Sequence, residues 1–116
     1  MLHVSDPWFG LISEGKKTIE GRVGPANKKY LQTALTNNVS SLSMKISHQQ
    51  HYSTLGDFLD AHWQAAAPQA TSRKHAEALY LLVIHTENGK VVDTFSPDRV
   101  AIEGGINALH LEMGKS

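Results

Sequence analysis

The stretch Gly15-Lys16-Lys17-Thr18-Ile19-Glu20-Gly21-Arg22 constrains the fold most tightly, because it sets a helix stop and the alternation of a strand within a few residues. Before it, Trp8, Phe9, Leu11 and Ile12 form an apolar face at helical spacing. Asp6 is placed to cap that helix, Pro7 suits its first position and Gly15 its end. From Thr18 to Val23 the period changes to two, which puts Ile19 and Val23 on one face and Thr18, Glu20 and Arg22 on the other. A short helix feeding a strand with a polar face is the first fixed point.

Further along, Leu2 to Ser5 reads as a short opening strand. Residues 24–41 read as loop: Gly24-Pro25 and Asn37-Asn38 are turn signals, with a helical turn available between Tyr30 and Leu35. Leu42, Met44, Ile46 and His48 alternate with polar neighbours, as a half-buried strand does, and the strand can continue toward Tyr52. Thr54 with Asp57 approximates a capping box for a helix through Leu55, Phe58, Leu59 and His62 to Trp63. Ser72 caps a third helix with the stripe Ala76, Leu79, Tyr80 and Val83. The segment 79–95 also suits a hairpin turning at Asn88-Gly89; a helix to about Val83 followed by a loop or short strand is preferred. Ser96-Pro97 opens a turn, and Gly104-Gly105 precedes a closing strand in which Leu109, Leu111 and Met113 alternate. This order is α+β rather than a regular βαβ array.

The chain has 116 residues, 41% of them apolar and 19% charged, which fits a single domain over 1–116 with its own core. It has no cysteine, so disulfides, thiol catalysis and thiolate metal sites are excluded together. No apolar run reaches the roughly 20 residues of a membrane helix, and MLHVSDPW lacks the regions of a signal peptide. The expectation is a soluble, intracellular protein, cytoplasmic or nuclear, with no membrane partner. Formal net charge is zero, so the whole molecule does not advertise a nucleic-acid partner. A local basic patch remains at Lys16, Lys17, Arg22, Lys28 and Lys29, set against Glu14 and Glu20.

HVSDPWFGLISEGKKTIEGRV resembles the signature of the ASCH domain (activating signal cointegrator homology), in which a strand and a short helix precede a G-x-K-x-x-E-x-R pattern. Gly15, Lys17, Glu20 and Arg22 fill that pattern. MKISHQQHYSTLGDFLDAH and GGINALHLEM resemble the family's central strand with its following helix and its terminal strand. The resemblance implies a small PUA-like β-barrel decorated by about three helices, with a cleft beside the motif strand. TALTNNVS stands where the family has a further strand, so the expectation is either a barrel closed differently or an abbreviated middle. The resemblance also implies RNA or a modified nucleoside as partner, in the setting of transcription coactivation or RNA processing; no cofactor is expected. Some members are amidohydrolases acting on N4-acetylcytidine and others are described as ribonucleases. Of the amidohydrolase residues, Lys17 matches the lysine, Glu20 occupies the threonine position, and HWQAAAPQA contains no carboxylate to match the glutamate.

Three functional classes therefore stand side by side: a binding module using Lys17, Glu20, Arg22, Trp8 and Tyr52; an amidohydrolase with Lys17 catalytic; and a protein-interaction domain using Trp63 or residues 86–103. Arg22 offers a planar fork of donors and Lys17 a point charge for phosphate or base oxygens, with Glu20 orienting them. The same three residues also read as a surface ion pair worth about 0–1 kcal/mol. Trp8 suits either a base-stacking platform or the core, and Tyr52, with His51, either the cleft or strand-end packing. His48 and His51 lack the spacing and companions of a metal site, so none is expected. No G-x-S-x-G elbow supports a serine hydrolase.

Overall fold

The computed structural model describes residues 2–4, 6–26, 30, 34–37 and 39–113. Lys28, Lys29, residues 31–33 within the expected helical turn from Tyr30 to Leu35, and Asn38 lie outside these. The elements are β1 (Leu2–His3), α1 (Trp8–Ser13), β2 (Ile19–Val23), β3 (Ala34–Thr36), β4 (Ser41–Tyr52), α2 (Leu55–Ala66), α3 (Arg73–Leu81), β5 (Ile84–Glu87), β6 (Lys90–Asp93), α4 (Pro97–Ile102) and β7 (Ile106–Met113). Five strands form one curled sheet in the order β1-β3-β4-β7-β2, and β5 pairs with β6 in a separate hairpin. The sheet is a half-barrel whose free edges are β1 and β2.

β7 lies at the centre of the longest pairings, antiparallel to both β2 and β4. Its two sets of alternating residues explain its apolar sequence, because both faces are covered. Ile106 and Ala108 pack with Ile19, Phe58, Leu59, Tyr80, Phe95 and Val100 against the helices α2 to α4. Leu109 and Leu111 pack with Leu2, Val4, Phe9, Ile12, Leu35 and Met44 on the opposite side. Trp8 is half-buried and touches both clusters.

Caps read from the sequence hold for two helices: Thr54 accepts from the Asp57 amide at 3.0 Å and Ser72 from the His75 amide at 3.1 Å. α1 differs. Pro7 itself is the cap residue, and Asp6 instead accepts a hydrogen bond from Asn37 Nδ2 at 2.9 Å. The segment around Ser96, expected to be a turn, is a short helix, with Ser96 accepting from the Arg99 amide. Residues 79–95 are helix and hairpin in succession: α3 ends at Leu81, and β5 and β6 turn at Asn88-Gly89. Residues 34–36, expected to be loop, form a strand that joins β1 in parallel and β4 in antiparallel pairing. Three residues are too few to show an alternation, and neighbours distant in sequence supply the pairing.

The register of β4 shifts between Ile46 and His48. An extra residue there reverses the faces beyond it. Met44 and Ile46 therefore sit with Leu111, whereas His48 pairs with His110 and Tyr52 with Ile106 on the helical side.

His110 and His62 of α2 both approach the Gln50 side-chain oxygen, at 2.9 Å each, and Tyr52 Oη lies 2.8 Å from His62 Nε2. Ring centroids of His48 and His110 are 5.1 Å apart, and those of His62 and His110 5.3 Å. Burial first, and then the neighbouring imidazole, pulls His62 and His110 below the ordinary histidine pKa of 6.5. The unfolded chain therefore takes up protons more readily. Stability from this cluster is complete above about pH 6.5 and is lost as pH falls through the lowered folded values. The thermal midpoint is expected to drop between pH 7.5 and 5, with a smaller drop in His62→Gln. Equal slopes in the two proteins would show that the cluster does not carry the effect.

Candidate ligand-binding site

β2 carries the motif. Ile19 and Val23 face the helices, as the alternation requires, but the polar face is not turned to solvent. Glu20 and Arg22 point into the concave side of the half-barrel, where their side chains are 10% and 28% exposed. Arg22 Nη2 lies 3.6 Å from Glu20 Oε2 and donates at 2.5 Å to the His3 carbonyl. Since β1 and β2 are the free edges, this guanidinium spans the gap that strand pairing leaves open. Arg22 Nε is buried, and no acceptor among the described residues reaches it.

Lys17 is the unexpected member, at 1% exposure. Its Nζ donates to the carbonyls of Ile19 at 2.6 Å and Ala66 at 2.5 Å, and lies 3.4 Å from Tyr80 Oη. It also lies 3.8 Å from Glu20 Oε1 and 4.9 Å from the centroid of the Trp8 ring. Desolvation lowers its pKa to about 8, opposed by Glu20 and assisted by Arg22. Burial likewise raises the Tyr80 hydroxyl well above its usual value. Lys17 therefore braces Glu20 and Trp8 from below, with its donors already engaged inside the protein.

Trp8, Lys17, Glu20 and Arg22 thus form one connected group. Tyr52 does not join them: it lies on the helical face, packed edge-on to Phe58 with ring centroids 6.2 Å apart and hydrogen bonded to His62. The bulge in β4 puts it there. In its place the concave face holds Gln49, Asn107 and His51. Gln49 Nε2 donates to Asn107 Oδ1 at 3.0 Å, and Asn107 Nδ2 lies 3.3 Å from the Gly24 carbonyl. Asn107, fully buried, interrupts the apolar run of β7 and was the one sequence signal for this group. Trp63 is half-buried against the helical core rather than exposed. Among the described residues no group of three or more His, Cys, Asp or Glu is arranged to hold a metal.

The family profile of the ASCH domain matches residues 2–88, which run from β1 through the motif strand to the β5 end of the hairpin. This chain belongs to the ASCH domain family. The half-barrel with its flanking helices is the small PUA-like architecture that the motif implied, with four helices among the described residues. Two solved structures share the fold. The crystal structure of hypothetical protein PH0355 superposes with a TM-score of 0.72 at 18% identity, covering 97% of this chain and 96% of that one. The solution NMR structure of protein PF0455 from Pyrococcus furiosus gives 0.63 at 14% identity, covering 99% and 96%. No curated protein matches the chain significantly. In this ASCH domain the G-x-K-x-x-E-x-R residues divide by depth: Lys17 beneath, Glu20 at the wall, Arg22 across the seam. No helix among the described residues is long and apolar enough to cross a membrane.

Proposed function

We propose that this ASCH domain is a binding module for RNA or a modified nucleoside, received on the concave face beside β2. The observation that carries the reading is Arg22: a guanidinium held by Glu20 and His3 at an open seam, with its buried Nε free of any acceptor among the described residues. A planar fork in that position suits a phosphate or a base oxygen. Glu20 fixes the fork and Trp8 offers an aromatic surface at the same site, while Lys17 supports both from beneath. The fold family adds general support for RNA as the partner.

Short single-stranded RNA is expected to bind with an affinity that falls as salt is raised, and to lose about tenfold or more in Arg22→Ala. Binding indifferent to both salt and Arg22 would overturn the assignment.

A second reading, an amidohydrolase acting on N4-acetylcytidine-like nucleosides through Lys17, draws on the lysine pKa of about 8. An amine so placed is partly unprotonated near neutral pH and suited to proton transfer. Incubation with N4-acetylcytidine followed by chromatography for cytidine decides it; absence of product at high protein concentration rejects it.

A further inference from the structure

A pocket of about 330 Å³ lies outside the concave face, between the start of α1 and the end of α3. It is lined by Asp6, Pro7, Trp8 and Gln69 together with Leu79, Leu82, Val83 and Ile84. The volume lies at the lower end of the range for small-ligand sites, and the wall is mostly apolar with a few polar atoms, as such sites are. Two features give it direction. The first is Trp8, whose ring has Lys17 Nζ 4.9 Å from its centroid and Tyr80 packed at 5.2 Å. Neither Lys17 nor Tyr80 lines the pocket, so Trp8 contributes surface that they leave uncovered. Held by a cation and a second ring, the indole is a fixed platform. The second is Gln69, in the α2–α3 connection. Its Oε1 is buried, and no donor among the described residues reaches it. A buried amide oxygen without a donor is costly, and a ligand that supplies one recovers that cost.

We propose that this pocket is a base subsite: it takes a planar heteroaromatic ring stacked against Trp8 and receives an N–H of that ring's edge on Gln69 Oε1. The proposal rests on the nucleoside-binding reading above and extends it to a second surface of Trp8. A base bound here is read by an acceptor, whereas Arg22 on the concave side offers donors to the backbone. One strand of RNA passing the mouth of α1 can engage both. Leu79, Leu82, Val83 and Ile84 make the rest of the lining apolar, and the one charged side chain in it, the Asp6 carboxylate, accepts from Asn37.

The test uses the full chain, a cytidine hexanucleotide and an abasic hexamer of the same length and charge. With Trp63→Phe as background, Trp8 is the remaining tryptophan, and its emission is expected to be quenched by the cytidine hexamer and not by the abasic one. The cytidine hexamer is expected to bind about tenfold tighter or more. Gln69→Leu is expected to remove most of that preference while leaving abasic binding as it was. Equal binding of the two hexamers to wild type would overturn the subsite while leaving backbone binding through Arg22 standing. Failure of both hexamers to bind would overturn the subsite together with the reading it rests on. A cytidine preference that Gln69→Leu leaves intact would also overturn it.

Discussion

Lys17→Ala is expected to destabilise the domain by roughly 3–5 kcal/mol, the range for removing one member of a buried ion pair. The substitution leaves the Ile19 and Ala66 carbonyls without the lysine donor, deprives Glu20 of one of its two cations and opens a void beside Trp8 and Tyr80. Lys17→Met retains most of the apolar stem and is expected to lose less. Their common signature is a pH profile. Well below pH 8 both folded and unfolded chains hold the Lys17 proton, and the full cost of burying the cation is present. Between the folded value of about 8 and the ordinary 10.5, the folded state has released the proton and the unfolded state has not. Wild-type stability therefore rises with pH, toward a ceiling about 3 kcal/mol higher. Tyr80 acts oppositely only above its ordinary value of 10, where the unfolded phenol ionises and the buried one does not. Urea unfolding at pH 7, 8, 9 and 10 should show the climb in wild type and a flat line in Lys17→Met. A flat wild-type curve would mean that the lysine is not desolvated in solution.

The second large effect is expected at Gly105→Ala. Gly105 has a φ of +109°, where a side chain is strained, and a Cβ there would lie 2.5 Å from both the Tyr52 carbonyl oxygen and His51 Nε2. Backbone strain and overpacking each cost about 1–3 kcal/mol, and here they add, because the carbonyl belongs to the β4 ladder and cannot turn away. A loss of about 3–5 kcal/mol is expected in urea unfolding. Gly104→Ala, at a φ of +90° with Pro25 Cα at 3.3 Å, should lose less. Gly10→Ala, inside α1 with nothing within 4 Å, should gain up to about 1 kcal/mol from helix propensity. If Gly105→Ala proved no worse than Gly104→Ala, the close approach of β7's entry to β4 would not be rigid. The glycine pair thus does more than make a turn: it lets the last strand enter beneath His51, whose Nε2 lies 2.8 Å from the Gly104 carbonyl.

These two sites mark the boundary of what the sequence reveals. Local chemistry was legible: the side chains of Thr54 and Ser72 cap their helices as their spacing indicates, and the alternation from Ile19 to Val23 assigns the right residues to each face of β2. Ser96-Pro97 reads as a turn and is instead the capped start of a helix only six residues long, too short for a periodic apolar face to declare itself. Three features required contacts between distant parts of the chain. β3 acquires its pairing from β1 and β4. One extra residue at Ser47 sends Tyr52 to the opposite face from Glu20 and Arg22, and alternation alone cannot announce a bulge. The burial of Lys17 depends on Trp8, Ala66 and Tyr80. A lysine beside a charged strand reads as solvated until those residues are known to close over it.

The span of Arg22 from β2 to the His3 carbonyl has one more consequence. In a barrel closed all round by strand pairing, circumference follows from strand number and stagger. In this domain Arg22 joins the seam by a side-chain hydrogen bond in place of a ladder rung, beside the packing of Leu2 and Val4 with Phe9, Ile12 and Leu109. Loss of that one hydrogen bond breaks no rung of the ladders among β3, β4 and β7.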